Sequence, residues 1–406
     1  MSMCIATYRA FDEKADFDKK ALSIAVGLTV GSWTELPEAQ KASMEKHLGK
    51  VLSVTVHEPK DAARYADIVI GYPDINFSRD IPALLVTIFG KLSMDGRIKL
   101  IDIDVSEDFA SAFPGPKFGL QGVRDLVGVQ DRPLLMSIFK SVVGYDLNGL
   151  QEQFYQQALG GVDLIKDDEI LFENPLTPIE KRVEVCMEAA RKAQEVTGQK
   201  LLYAVNLTGP TSKLAEQAKK AIAAGANALL FNTLSYGFDV LHELSSDPDI
   251  NVPIASHPAL AGAIYPSAYY GMSPAVLLGK LNRLAGADLV LFPSPYGSVV
   301  MPKEENLAID AALKQPLHHL KQSMPVPSAG IHPGIVPLIM KDFGHDVVVN
   351  AGGGIHGHPM GTAAGGRAFH QAIQACLQGV SLEEAATKPQ HDELAAAIQA
   401  WEIKQS

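Results

Sequence analysis

The spacing of hydrophobic and polar positions changes along the chain, and the changes divide it into two stretches. In CIATYRA (4–10) apolar and polar residues alternate, the period of a strand half-buried on one face. Over 16–29, Phe17, Ala21, Ile24 and Leu28 recur at three- and four-residue steps, which is one face of a helix. KVLSVTVHE (50–58), DIVIGYP (67–73) and IKLIDIDV (98–105) predict strands, and DIPALLVTIFG (80–90) predicts a helix capped by Asp80 with Pro82 in its first turn. The resulting order, β-α-β-β-α-β, predicts a ferredoxin-like α+β domain with helices on one face of an antiparallel sheet.

From about residue 131 short apolar runs alternate regularly with amphipathic helical patterns, which implies parallel strands joined by crossover helices. The predicted strands are 133–139, 162–166, 201–207, 228–231, 252–256, 288–292, 326–330 and 347–350, the eight that a closed barrel needs. The clearest helix is 178–196, where Thr177, Pro178 and Glu180 read as a capping box and Gly198 as the stop. The expected fold is therefore α/β in two parts. A ferredoxin-like N-terminal domain (1–128) precedes a (β/α)8 TIM barrel (129–406) with a helical tail at 381–403, and the stretch 106–130, containing FPGPKFG, connects them.

Composition narrows the function classes. Of 406 residues 47% are hydrophobic and 20% charged, enough apolar surface to fold throughout and far from the composition of disorder. Lys and Arg number 35 against 46 Asp and Glu, so the formal charge is 35 − 46 = −11, the wrong sign for a nucleic-acid partner. Cys4, Cys186 and Cys376 are too dispersed for a finger-type zinc site and point to a reducing compartment. No apolar run approaches the roughly 20 residues of a membrane span, and MSMCIATYRAFDEKADFDKK has no cationic segment followed by an apolar core. The expectation is a cytoplasmic protein with no membrane partner.

In a parallel barrel the chemistry sits where strands end. The second predicted strand runs into GGVDLIKDDE, which puts Lys166 and Asp168 on one side of an extended chain, with Glu169 able to join them where the strand breaks. Carboxylates so grouped are hard oxygen ligands suited to Mg2+. An ammonium cannot ligate a cation, but carbon dioxide would convert Lys166 to a carbamate, which can; a salt-bridged charged loop is the alternative. The seventh and eighth strands end in PSAGIHPG (327–334) and NAGGGIHGHP (350–359), whose glycines allow backbone N–H groups to approach an anion where many barrels hold a phosphate. That ordering favours a phosphorylated small-molecule substrate over mere tight turns. His332, His356 and His358 flank these glycines and read as hydrogen-bonded structural side chains. Lys140 ends the first strand, where it could anchor charge or act as a base, or be a surface lysine. His257 ends the fifth and suits a hydrogen bond to a substrate oxygen, or a structural role. In the small domain, Trp33 of GSWTE (31–35) and Lys91 of IFGKLS (88–93) carry no signal of their own.

Taken together, RPLLMSIFK (132–140), GGVDLIKDDE (160–169), PSAGIHPG and NAGGGIHGHP, with GSWT, resemble the RuBisCO large-subunit family in order and spacing over nearly the whole chain. The resemblance implies the two-domain fold, a homodimer in which the small domain of one subunit covers the barrel mouth of the other, and one Mg2+ per subunit on carbamylated Lys166, Asp168 and Glu169. Departures from the carboxylase pattern point away from carboxylation. Gly27 stands for a glutamate, Lys91 for an asparagine and Pro258 for an arginine. The strand-six loop, FPSPYGSVVMPKEE (292–305), lacks the V-G-K lysine, and Lys303 is shifted in context. Among RuBisCO-like proteins, GLTVGSWTELP, FGKLS and LFPSPYGSV are similar to the enolase branch of methionine salvage. This implies Mg2+-assisted enolisation of 2,3-diketo-5-methylthiopentyl 1-phosphate, an isomerase reaction. It also implies Lys91 as general base across the interface, Lys140 and His257 on substrate, and Gly330, Gly352 and Gly353 on its phosphate. The rival expectations are an isomerase of a methylthio-sugar phosphate, a carboxylase, and a non-catalytic sugar-phosphate-binding protein.

Overall fold

The computed structural model describes residues 2–31, 37–297, 299 and 301–403. Trp33 and most of GSWTE therefore lie outside the described residues, as do Ser298 and Val300 of the strand-six loop. Strands β1 (Met3–Phe11), β2 (Lys50–His57), β3 (Tyr65–Pro73) and β4 (Ile98–Asp104) form an antiparallel sheet in the order β4-β1-β3-β2, the ferredoxin-like plan. Along β1 the burial alternates strictly, and its inward Tyr8 donates to the Ile88 carbonyl at 2.6 Å, tying the sheet to the helix above it. That helix begins under the predicted Asp80 cap, whose carboxylate accepts from the Ala83 amide at 2.7 Å. It is α-helical over Ile81–Leu85 and π-helical over Val86–Gly90, and the widened turn ends at Lys91.

The second sheet is the predicted barrel. Its strands are β5 (Leu134–Ile138), β6 (Leu164–Lys166), β7 (Leu202–Leu207), β8 (Ala228–Phe231) and β9 (Ile254–Ser256), then, after a two-residue excursion β10 (Gly271–Met272), β11 (Leu289–Pro293), β12 (Met324–Ser328) and β13 (Val348–Ala351). All eight barrel strands are parallel, and β13 returns to pair with β5. Ladder pairing is missing between β12 and β13, and the sequence of β12, MPVPS, explains why. The Met324 amide points to β11, donating to the Asp288 carbonyl at 2.8 Å, so Pro325 and Pro327 turn their donorless nitrogens toward β13. A side-chain bond crosses the gap instead, from Asn350 Nδ2 to Ser328 Oγ at 2.8 Å. The barrel interior is packed by Leu134, Met136, Leu164, Leu230, Leu291 and Val326. Leu120, Val123 and Val127 of the helix Gly119–Val127 join them and close the end opposite the mouth.

Two expectations need correction. The seventh strand is 324–328 rather than 326–330, so Ala329 and Gly330 lie in the mouth loop with φ of +73° and +66°. The helix Ile179–Thr197 ends at Gly198 in the left-handed region as expected, but it has no capping box. Thr177 is turned inward to bond Asn174, and Glu173 accepts from the Ile179 amide instead, at 3.0 Å. The loop after β9 carries β10, which adds a parallel strand to the edge of the small domain's sheet beside β4. Lys99 of β4 reaches the same loop, donating to the carbonyls of Tyr265 and Ser267 at 2.8 and 2.7 Å. The barrel loop and the small domain are thereby fixed to each other.

Candidate active site

The short strand β6 ends at Lys166, and its pleat sorts the four charged residues 166–169. Asp167 faces outward into the barrel wall, where it is fully buried. There it accepts from Tyr203 Oη at 2.6 Å and the Asn206 amide at 2.8 Å, and it pairs with the buried Arg182 at 3.2 Å. Because removing one partner strands the other's charge in the core, Arg182→Met should lower stability by about 3 kcal/mol, read as a lower urea midpoint at unchanged slope. Lys166, Asp168 and Glu169 turn to the mouth. Lys166 Nζ is buried 3.7 Å from Glu169 Oε2 and donates to the Asp167 carbonyl at 2.9 Å. Burial pushes its pKa down to about 8 against the pull of Glu169 and Asp168.

Lys140, two residues past β5, donates to Asp168 Oδ2 at 2.7 Å. His257, just past β9, has Nε2 3.5 Å from Glu169 Oε2, and its Nδ1 accepts from the Ala259 amide at 3.2 Å. Burial, with Lys166 and Lys140 adding to it, pushes His257 down to about 3, so the ring is neutral with its proton on Nε2, facing the mouth. Burial alone would raise the Glu169 carboxyl, but Lys166, a backbone hydrogen bond and Lys140 outweigh it and the net shift is downward. Lys140, Lys166, Glu169 and His257 line a cavity of 440 Å3 together with Ser328, Ala329, Gly330, Gly352 and Gly353, and with the apolar Pro258, Ala261, Tyr265, Pro293 and Val299. Ala329 is held in the left-handed region, a conformation that costs a non-glycine residue about 1 kcal/mol, immediately beside Gly330.

The structure thus brings together eight of the nine expected site residues. The ninth, Lys91, does not reach this cavity. It is exposed and lines a separate hollow of 420 Å3 in the small domain, together with Gly27, Leu28 and Met94. Lys303 begins the helix Lys303–Lys314 and is paired with Asp342 at 2.7 Å, and it does not line this cavity. His356 and His358 are bonded to backbone carbonyls of Ile138 and Glu393. Two residues that the sequence reading passed over support the cluster: Asn206 and Asn232 direct their amides to the Glu169 carbonyl at 3.0 and 3.4 Å. Their signal was an asparagine next to the end of one strand (LYAVNL) and another just after the next (ALLFN), both toward the strand ends where the chemistry of a barrel sits.

A ferredoxin-like domain joined to a parallel barrel, with a lysine and two carboxylates at the mouth beside glycine loops, is the architecture of a two-domain barrel enzyme. Residues 119–401 match the family described as ribulose bisphosphate carboxylase large chain, catalytic domain. The chain is 53% identical, over 99% of its length and 98% of the relative's, to the 2,3-diketo-5-methylthiopentyl-1-phosphate enolase of Geobacillus thermodenitrificans. Among solved structures, a rubisco-like protein (MtnW) from Alicyclobacillus acidocaldarius superposes with a TM-score of 0.92 at 47% identity, covering 98% of this chain and 99% of that one. The octameric Rubisco of Pyrococcus horikoshii superposes with a TM-score of 0.90 at 28% identity, covering 100% and 95%. The chain belongs to the RuBisCO large-chain family.

Proposed function

We propose that this protein enolises 2,3-diketo-5-methylthiopentyl 1-phosphate to the 2-hydroxy-3-keto-5-methylthiopentenyl 1-phosphate of methionine salvage, as a homodimer with its site at the subunit interface. The observation that carries this reading is full-length identity to enolases of that name, in a chain whose mouth cluster has the chemistry the reaction needs.

The donor set fits Mg2+ in one form only. Among the described residues no three His, Cys, Asp or Glu converge, and two carboxylates beside an ammonium carry a net charge of only −1. Carbamylation of Lys166 replaces +1 by −1 and gives three oxygen donors, Lys166, Asp168 and Glu169, with charge −3. Burial favours that step, because the lowered pKa leaves part of Lys166 as the neutral amine that attacks carbon dioxide. When bound, Mg2+ polarises the substrate carbonyl and lowers the cost of negative charge on its oxygen. The chain's own groups do the rest. Backbone N–H groups of Gly330, Gly352 and Gly353 hold the phosphate, and the Lys140 ammonium and His257 Nε2–H orient the dicarbonyl oxygens. The apolar side of the cavity takes the methylthio end. Lys91 Nζ, brought by the partner subunit as the neutral amine, removes a C1 proton; the C–H electron pair becomes the C1–C2 double bond, the C2 carbonyl oxygen takes up a proton to become the hydroxyl, and Lys91 gives its proton up, so the reaction is redox-neutral and loses no atoms.

The test is to follow enol absorbance with Mg2+, bicarbonate and the diketone phosphate. Enol formation that a chelator abolishes is expected, with no carbon dioxide fixed on ribulose bisphosphate. Failure to form enol, or fixation of carbon dioxide, overturns the reading.

A further inference from the structure

Two of the histidines beside the glycine loops, His332 and His358, take no part in the chemistry above, yet both meet the same residue at the far end of the chain. The helix Asp392–Trp401 ends with the Trp401 ring 6.1 Å from that of His332, in the loop after β12, and 6.1 Å from that of His358, in the loop after β13. We propose that this C-terminal helix sets the spacing between the two glycine loops, with Trp401 as a positioning residue for the substrate phosphate. The inference rests on the assignment of those loops to phosphate made above.

Both ends of the helix are fixed to the mouth. At its start, His358 Nδ1 accepts from the Met360 amide at 3.1 Å, so the neutral ring carries its proton on Nε2 and donates to the Glu393 carbonyl at 2.8 Å. The Glu393 carboxylate accepts from Arg367 and Gln371, each at 2.7 Å, both on the helix Thr362–Leu377 that follows β13. Gln371 in return accepts from the Leu394 amide at 2.9 Å. Past its end, the chain runs so close to the β12 loop that a Cβ on Gly334 would overlap the Glu402 carbonyl oxygen. The loops also touch each other, since a Cβ on Gly354 would overlap the Ile331 carbonyl oxygen.

Glycine loops offer backbone donors but few side chains with which to hold themselves, so their relative position must be set from behind. Binding a phosphate through donors from two separate loops needs that position fixed to about 0.5 Å. Trp401, resting on one histidine from each loop, is placed to do this. A phosphate contact is made equally in ground and transition states, so its loss appears in KM rather than in kcat.

The experiment compares full-length wild type, Trp401→Ala and Trp401→Phe in the enol assay with Mg2+ and bicarbonate, using inorganic phosphate as a competitive inhibitor. In Trp401→Ala, KM and the phosphate inhibition constant are expected to rise together about tenfold, with kcat within about twofold, and Trp401→Phe should recover most of the loss. Unchanged KM and phosphate inhibition in the folded variant overturn the proposal, as does a loss confined to kcat. If Trp401→Ala does not fold, His358→Asn cuts the tie to Glu393 and is judged by the same two constants. If phosphate fails to compete in the wild type, the phosphate assignment itself fails and this inference with it, a result distinct from normal competition that Trp401→Ala leaves unaltered.

Discussion

Lys91→Ala should lower kcat about 1,000-fold, the loss typical of removing a positioned general base, while Mg2+ binding and melting temperature stay near wild type. The reason lies in where Lys91 sits. It is exposed, at the end of a π-helical turn of the small domain, and it lines a hollow shared with none of the barrel-mouth groups of its own chain. A base that acts on a substrate held by Lys140, His257 and the glycine loops must then come from a second copy, and mixing experiments can read this directly. Combining Lys91→Ala with Lys166→Ala subunits, each inactive alone, should restore about a quarter of wild-type activity. Half of randomly assembled dimers are mixed, and each of these has one intact site and one doubly defective site. If Lys91 served its own barrel, every site in every dimer would carry a defect, and no activity would return. Lys140→Ala is the control for the alternative base: should it abolish turnover while Lys91→Ala keeps it, the base moves to Lys140.

Most of the scaffold could be read from periodicity, because most of the barrel and small-domain strands lie in runs of alternating or continuous apolar residues. What escaped was set by partners distant in sequence. β10 is two residues long and exists only because the loop after β9 lies against β4 and is held there by Lys99, 166 residues before Tyr265. β12 starts two residues before the expected 326–330, and its Pro325 and Pro327 are tolerated only because the seam toward β13 carries no ladder. The capping box failed at Thr177 because burial, which no local pattern reports, turned its hydroxyl toward Asn174. In the candidate site the cluster after β6 was legible because strand alternation separates Lys166 and Asp168 from Asp167. That Asp167 belongs to a buried pair with Arg182 was not, since the two meet only once the helix Ile179–Thr197 packs on the barrel.

Lys166→Met should abolish enolisation, by 1,000-fold or more on the scale of removing a metal that stabilises developing charge, without loss of stability. A buried ammonium costs desolvation energy, and a methionine of similar length fills the same space without that cost. Calorimetry should then find no bicarbonate-dependent Mg2+ binding in a variant that melts at or above the wild-type temperature. The wild type adds a pH signature. Burial holds Lys166 near a pKa of about 8, below the ordinary lysine value, so the neutral amine grows as pH rises through that value. About a tenth of it is neutral at pH 7 and half at pH 8. With free carbon dioxide held constant, the rate of activation of metal-free enzyme should therefore rise about fivefold from pH 7 to pH 8 and level off above pH 9. An ordinary exposed lysine would instead give a rise of tenfold per pH unit through pH 9 with no plateau. The shape of that profile distinguishes a lysine prepared for carbamylation from one that only neutralises Asp168 and Glu169, because the second role requires the ammonium to persist across the whole range.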